Sequence, residues 1–216
     1  MKLIEGFGPN PRAVRWFLLE KGIDLPREEI DVVAGENRQP PYTDRNPAGQ
    51  LPALEFDNGR VIGETVAIFE YLEERHPEPS LVGRTPEERA ETRMWQRRVE
   101  LNITEHLYNG FRYGEGLQLF QGRMRCLPDA ADGLKQKARD GLAWLDGLLA
   151  GKDWIAGEHF TIADIILACA LDFGASVGQP IDSSLENVGK WWQRIRNRKA
   201  FEASVHPAAA GTGMRG

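Results

Sequence analysis

The stretch N-P-A-G-Q-L-P-A-L-E-F-D-N-G-R-V-I-G-E-T, residues 46–65, decides the fold. Leu54 and Phe56 alternate with Glu55 and Asp57, the period of a half-buried strand. Asn58-Gly59 follows, the strongest short signal for a two-residue hairpin, because both positions tolerate positive φ. Val61 and Ile62 form the returning strand, and Gly63-Glu64-Thr65 stands directly before an amphipathic helix. Pro52 lies at the strand entrance, where it cannot donate to a ladder and so marks an edge or a bend. It also pushes Leu51 toward extended geometry. Two readings stand on these residues. One is an ordinary hairpin with an edge proline. The other is an edge whose Leu51 N–H and C=O pair with a peptide-like ligand by strand addition.

The whole chain has 216 residues, enough for one large domain or two modest ones with a real core. Its net charge of −5 argues against a nucleic acid as main partner. No apolar run is long enough to span a bilayer, so no membrane partner is expected. Met1-Lys2-Leu3-Ile4-Glu5 reads as a strand rather than a signal peptide, since Glu5 and Gly6 interrupt any apolar core. Cys126 and Cys169 are far apart and form no C-x-x-C motif, which makes a reducing cytoplasm the default location. His76, His106, His159 and His206 show no metal-ligand spacing, so no metal is expected. No G-x-S-x-G or Walker-type loop occurs.

Two halves differ in grammar. Residues 1–76 alternate strand and helix signals. Residues 2–7 read as a strand, and Val14, Phe17 and Leu18 recur at helical spacing up to Gly22. A second strand is expected over 28–33, a prolyl loop through Pro40-Pro41 and Asn46-Pro47, then the hairpin, then a helix bearing Val66, Phe69 and Leu72. The order β-α-β-loop-β-β-α is a thioredoxin-like topology. Residues 77–86 are prolyl and polar, a linker. Residues 87–216 read as all-helical. Helices are expected over 87–113, through Leu134, Ala138, Leu142, Leu145 and Leu149, behind a Thr161-Ile162-Ala163-Asp164 capping box, and around Trp191, Trp192 and Ile195. From Val205 onward the sequence looks like a frayed tail.

Four pieces in order now carry a resemblance: residues 9–15 (P-N-P-R-A-V-R), 46–54 (N-P-A-G-Q-L-P-A-L), 63–68 (G-E-T-V-A-I) and 160–164 (F-T-I-A-D). Over about residues 1–200 the chain resembles a cytosolic glutathione transferase of bacterial type. That resemblance implies a thioredoxin-like α/β domain followed by an all-α domain, glutathione as co-substrate, and a homodimer. It implies that Leu51 and Pro52, with Pro52 in cis, present backbone to the cysteinyl part of glutathione, and that Glu64 and Thr65 hold the γ-glutamyl end. Physically, Thr65 opens a helix, so its N–H and hydroxyl meet a carboxylate at a positive dipole end. Thr65 as an N-cap is the plain alternative, and the two roles are compatible. Gln50 matches a position near the glycyl end, or is a solvated loop residue. Phe7, Tyr108, Phe111 and Arg112 would line a pocket for a small hydrophobic electrophile, although aromatics at helical spacing also serve as core.

The family favours the thiolate of glutathione with a Tyr or Ser hydroxyl, or carries a Cys near the first helix. Here Gly8 matches the Ser position and Ile4 best matches the Tyr. No hydroxyl activator is evident, and residues 1–76 hold no cysteine. Asn10 remains, near where Nu-type enzymes carry Asn. Its amide can donate to a thiolate beside the amino end of the helix beginning at Pro11; alternatively Asn10 is the N-cap before that proline. Conjugation of glutathione to electrophiles is the first functional reading. Glutathione-dependent disulfide reduction is the second, and a non-catalytic binding module of the same fold is the third.

Overall fold

The computed structural model describes residues 1–216 as two compact units, residues 1–80 with 202–216 and residues 81–201. The first holds β1 (Lys2–Glu5), α1 (Pro9–Lys21), β2 (Arg27–Glu29), α2 (Tyr42–Arg45), β3 (Ala53–Glu55), β4 (Val61–Gly63) and α3 (Thr65–Arg75). The four strands form one sheet in the order β2-β1-β3-β4. β1 runs parallel to β2 and antiparallel to β3, and β3 pairs antiparallel with β4. This is the thioredoxin-like arrangement. Leu3, Ile4, Ala53 and Leu54 are fully buried, as are Val14, Phe17, Ile68, Phe69 and Leu72 of α1 and α3. Phe17 and Phe69 stack at 4.7 Å.

Two strands are shorter than their apolar patterns suggest. β1 stops at Glu5, before Phe7. β2 covers 27–29 instead of 28–33, because side chains there take over the backbone groups. Asp31 accepts from the Ala34 N–H at 2.9 Å, and Glu36 accepts from the Asp31 N–H at 2.8 Å. Such local bonds compete with a ladder. The hairpin also differs from a two-residue Asn-Gly turn. The Phe56 N–H donates to the Arg60 carbonyl at 2.8 Å, which leaves a three-residue loop over 57–59. Gly59 takes the left-handed position, φ 81°, that this longer loop requires.

The second unit contains α4 (Pro86–Val99), a π-helical turn at Glu100–Thr104, α5 (Glu105–Tyr113), α6 (Leu117–Phe120), α7 (Ala131–Leu148), α8 (Ile162–Ser176) and α9 (Glu186–Arg196). α8 is buried without a break from Ile162 to Gly174, as its all-round apolar sequence requires. Thr161 and Asp164 form the capping box. Asp164 also accepts from the Ile155 N–H at 3.0 Å and Trp191 Nε1 at 2.8 Å, which ties three segments to one buried carboxylate. A second box, Thr85 with Glu88, opens α4 at the end of the stretch that reads as a linker. Leu81 and Val82 of that stretch are buried. At Gly141 on α7 a Cβ would run into the Asn102 carbonyl, so the π-turn and α7 meet only because no side chain stands between them. No helix is long and apolar enough to cross a membrane.

The last residues are not a frayed end of the helical half. α10 (Lys199–Ala203) leads into residues 202–216, which belong to the first unit and include a short α11 (Ala209–Thr212). Ser204 is fully buried there, held by two α1 side chains. Arg15 Nε donates to its carbonyl at 2.9 Å, and Arg12 Nε to its hydroxyl at 3.2 Å.

Candidate functional site

The register gathers three strand ends at one edge of the first unit. Ile4 lies opposite Ala53, and Ala53 opposite Gly63. Continued by one residue, the same ladders set Pro52 beside both Glu5 and Glu64. The end of β1, the start of β3 and the end of β4 therefore open on the same side, where α1 and α3 also begin. Both helix amino termini, the positive ends of the helix dipoles, point at this edge.

The Leu51–Pro52 peptide is cis, and no hydrogen bond within the protein engages the Leu51 N–H or C=O. The preceding residue is held firmly. The Gln50 carbonyl accepts from Tyr42 Oη at 2.5 Å and from Asn46 Nδ2 at 2.9 Å, and Asn46 Nδ2 also donates to Tyr42 Oη at 3.0 Å. Asn37 Nδ2 donates to the Gly49 carbonyl at 2.7 Å, and Arg38 to the Ala48 carbonyl at 3.2 Å. Burial of Tyr42 pushes its pKa up, keeping the hydroxyl a donor. These scaffold residues escaped the sequence reading. The only signal was a Tyr and an Asn one helical turn apart ahead of the Leu-Pro pair. The Gln50 side chain itself is exposed and makes no hydrogen bond.

Glu64 is the N-cap of α3 and Thr65 its first helical residue, so the N-cap role open to Thr65 falls to Glu64. Glu64 is the one non-glycine residue with positive φ, 67°, a conformation that ordinarily costs about 1–3 kcal/mol and clusters at functional sites. Its side chain makes no capping bond, and the Thr65 hydroxyl is not engaged either. The amino end of α3 thus presents N–H groups, a hydroxyl and an exposed carboxylate beside Pro52.

At α1 the N-cap is Gly8, not Asn10; the helix begins at Pro9, which puts Asn10 second. Pro9 and Pro11 have no N–H, so Asn10 is the sole backbone donor among the first three helical residues. Its half-buried side-chain amide makes no hydrogen bond within the protein. Ile4 is fully buried in the core, and the Tyr42 hydroxyl is committed to Gln50. Tyr71 packs on Phe56 at 4.8 Å and lines a cavity of about 450 Å³ with Met1 and Arg75, at the opposite end of β1. Neither tyrosine hydroxyl of the first unit is therefore free at this edge. Phe7 follows the end of β1 and meets His206 edge-to-face at 6.1 Å.

In the helical unit Tyr108 and Phe111 are buried against Phe173, at ring separations of 6.3 and 5.0 Å. Burial pushes the Tyr108 pKa well above the ordinary tyrosine value. Arg112 lies over the Tyr108 and Phe120 rings and donates to Asn109 at 3.1 Å. Tyr108 and Phe111 thus share Phe173 as a ring partner within that unit.

A family model described as the glutathione S-transferase N-terminal domain matches residues 7–75, and one described as the C-terminal domain matches residues 128–199. The chain is 30% identical to "Glutathione S-transferase 2" of Saccharomyces cerevisiae over 202 residues, 90% of this chain and 84% of that protein. It belongs to the glutathione S-transferase family. The family also includes functions named otherwise. The chain is 32% identical to a "Maleylacetoacetate isomerase" of Pseudomonas aeruginosa over 197 residues, 90% of this chain and 86% of that one. Among solved structures, a glutathione S-transferase domain-containing protein of Marinobacter aquaeolei superposes with a TM-score of 0.87 at 32% identity, covering 93% of this chain and all of that one. In this glutathione S-transferase family member, Leu51, Glu64 and Asn10 stand at the strand-end edge of the first unit.

Proposed function

We propose that this chain binds glutathione at the shared edge of β1, β3 and β4 and conjugates its thiolate to small hydrophobic electrophiles. One observation carries the reading. Leu51 keeps an unengaged N–H and C=O beside Pro52, while the open amino end of α3 stands one ladder position away. A peptide-like ligand adds there as a short antiparallel strand, its cysteinyl amide pairing with Leu51. The γ-glutamyl carboxylate lies at the Thr65 N–H and hydroxyl, where the helix dipole favours an anion, and the ammonium at the Glu64 carboxylate. Gln50 reaches the glycyl end. The thiolate then sits at α1, where the Asn10 amide donates to it and the dipole lowers its proton affinity. Attack on the electrophile forms a carbon–sulfur bond and expels the leaving group or generates a carbanion to be protonated. The electrophile is proposed to contact Phe7 in this unit. On the helical unit, Tyr108, Phe111 and Arg112 are the residues proposed to serve the second substrate. No metal takes part, and a cytoplasmic homodimer completes the reading by likeness to the family.

The same groups support a second reading, disulfide reduction. Residues 1–80 contain no cysteine, so any sulfur exchange at Asn10 would use two glutathione molecules. The first thiolate attacks the substrate disulfide and releases one thiol. The second resolves the mixed disulfide and leaves oxidised glutathione.

Purified protein given glutathione and an aryl chloride, and separately glutathione and a small disulfide, tests both. Turnover of the aryl chloride without disulfide reduction supports conjugation, and the reverse outcome supports reduction. Retention on immobilised glutathione with neither activity would leave a binding module.

A further inference from the structure

We infer that residues 206–216 form a strap that competes with glutathione for the amino end of α1, so that the site is partly self-occluded. The inference rests on the glutathione reading above. Gly216 is buried, and it lies directly on Gly8, the N-cap of α1. A Cβ built on Gly216 would come 2.7 Å from Gly8 N, 2.9 Å from Gly8 Cα and 2.9 Å from Phe7 Cε2. With Pro9 and Pro11 lacking N–H groups, the Gly8 and Asn10 N–H groups and the Asn10 amide are the donors at this helix end. The strap covers the first of these, where the thiolate needs access.

The strap is rooted at Ser204 and closes at Gly216. Its root is Ser204, buried between Arg12 and Arg15, followed by buried His206. His206 Nδ1 accepts from the Ala208 N–H at 3.1 Å, which fixes the proton on Nε2; that nitrogen lies 3.1 Å from Glu29 Oε1. The far end closes through the His206 N–H to the Gly216 carbonyl at 2.8 Å, and through Arg215 to Glu202 at 2.8 and 2.9 Å. Exposed ion pairs of this kind contribute little. Between His206 and Gly216 every residue is exposed or half-buried. A segment with few buried contacts between two buried ends opens at low cost about its root. Glutathione then binds only the open fraction, and its apparent affinity falls by that fraction.

Two full-length variants lift the far end without touching the glutathione groups. Gly216→Trp cannot seat against Gly8, and Arg215→Glu places like charges on 215 and 202. Titration calorimetry with glutathione should show at least threefold tighter binding in both variants than in the unaltered chain. Hydrogen exchange of peptides covering 206–216 should speed up when the unaltered chain is saturated with glutathione. Equal affinities with unchanged strap exchange would overturn the strap and leave the glutathione site standing, and so would weaker binding in the variants. Absence of glutathione binding in all three proteins would overturn the glutathione reading and the strap with it.

Discussion

Asn46 donates its side-chain amide to the Tyr42 hydroxyl at 3.0 Å, and both side chains converge on one acceptor, the Gln50 carbonyl. Neither residue stands at the proposed ligand, yet together they set the backbone entering Leu51–Pro52. Tyr42→Phe removes one donor from that carbonyl and the acceptor from Asn46. A loss of about 1–2 kcal/mol in unfolding free energy is expected, together with several-fold weaker glutathione binding. Denaturant melts beside calorimetric titration check it. A stability loss with unchanged affinity would confine the pair to folding.

Asn10→Ala should lower turnover about tenfold or more, equivalent to about 1.4 kcal/mol of transition-state stabilisation. Because its side chain makes no bond within the protein, stability should hold. Steady-state rates beside a melting curve read both quantities. Unchanged turnover with unchanged binding would assign thiolate stabilisation to backbone N–H groups alone.

Glu64→Gly should make the protein more stable and a poorer binder. Glycine accepts φ 67° freely, so about 1 kcal/mol of backbone strain is released, offset in part by the freer unfolded chain. The carboxylate proposed to meet the ligand ammonium is lost at the same time. Glu64→Ala keeps the strain and loses the carboxylate, which separates the two effects in a paired comparison of Tm and glutathione affinity.

Acid should unfold the first unit through Glu28. Arg45 holds its carboxylate at 2.7 and 3.1 Å, with Lys2 at 2.7 Å, and together they lower its pKa to about 2. A depressed folded-state pKa means that the unfolded chain binds the proton first. The stabilisation is therefore complete above pH 4.5 and is lost as pH falls toward 2. Given the partial exposure of the pair, about 1–2 kcal/mol is at stake. Glu28→Gln should flatten that part of the stability–pH curve, measured by urea unfolding at successive pH values.

Asp164→Ala should cost more than the about 0.5–2 kcal/mol of a lost helix cap. The carboxylate also satisfies the Ile155 N–H and the Trp191 indole, which the variant leaves buried without their acceptor. A loss of about 3 kcal/mol or more is expected from thermal or denaturant unfolding. A loss within the capping range would mean that water or a shifted backbone replaces those bonds.

The sequence by itself determined the two-part architecture, the strand edge marked by Pro52 and the capped helix α8. Each depends on short-range rules: the strand period around Leu54, the missing N–H of Pro52, and a Thr-x-x-Asp box ahead of an apolar run. Local pattern failed where side chains took over backbone groups, as at Asp31 and Glu36, and in the hairpin, where Phe56 and Arg60 pair to leave a three-residue loop. Only the tertiary structure decided that Glu64 rather than Thr65 caps α3, that Gly8 rather than Asn10 caps α1, and that Tyr42 and Asn46 hold Gln50. It also folded residues 202–216 back onto the first unit, because Arg12 and Arg15 on α1 find their partner in Ser204, nearly two hundred residues along the chain. Contacts across that distance leave no period, dipeptide or spacing to read.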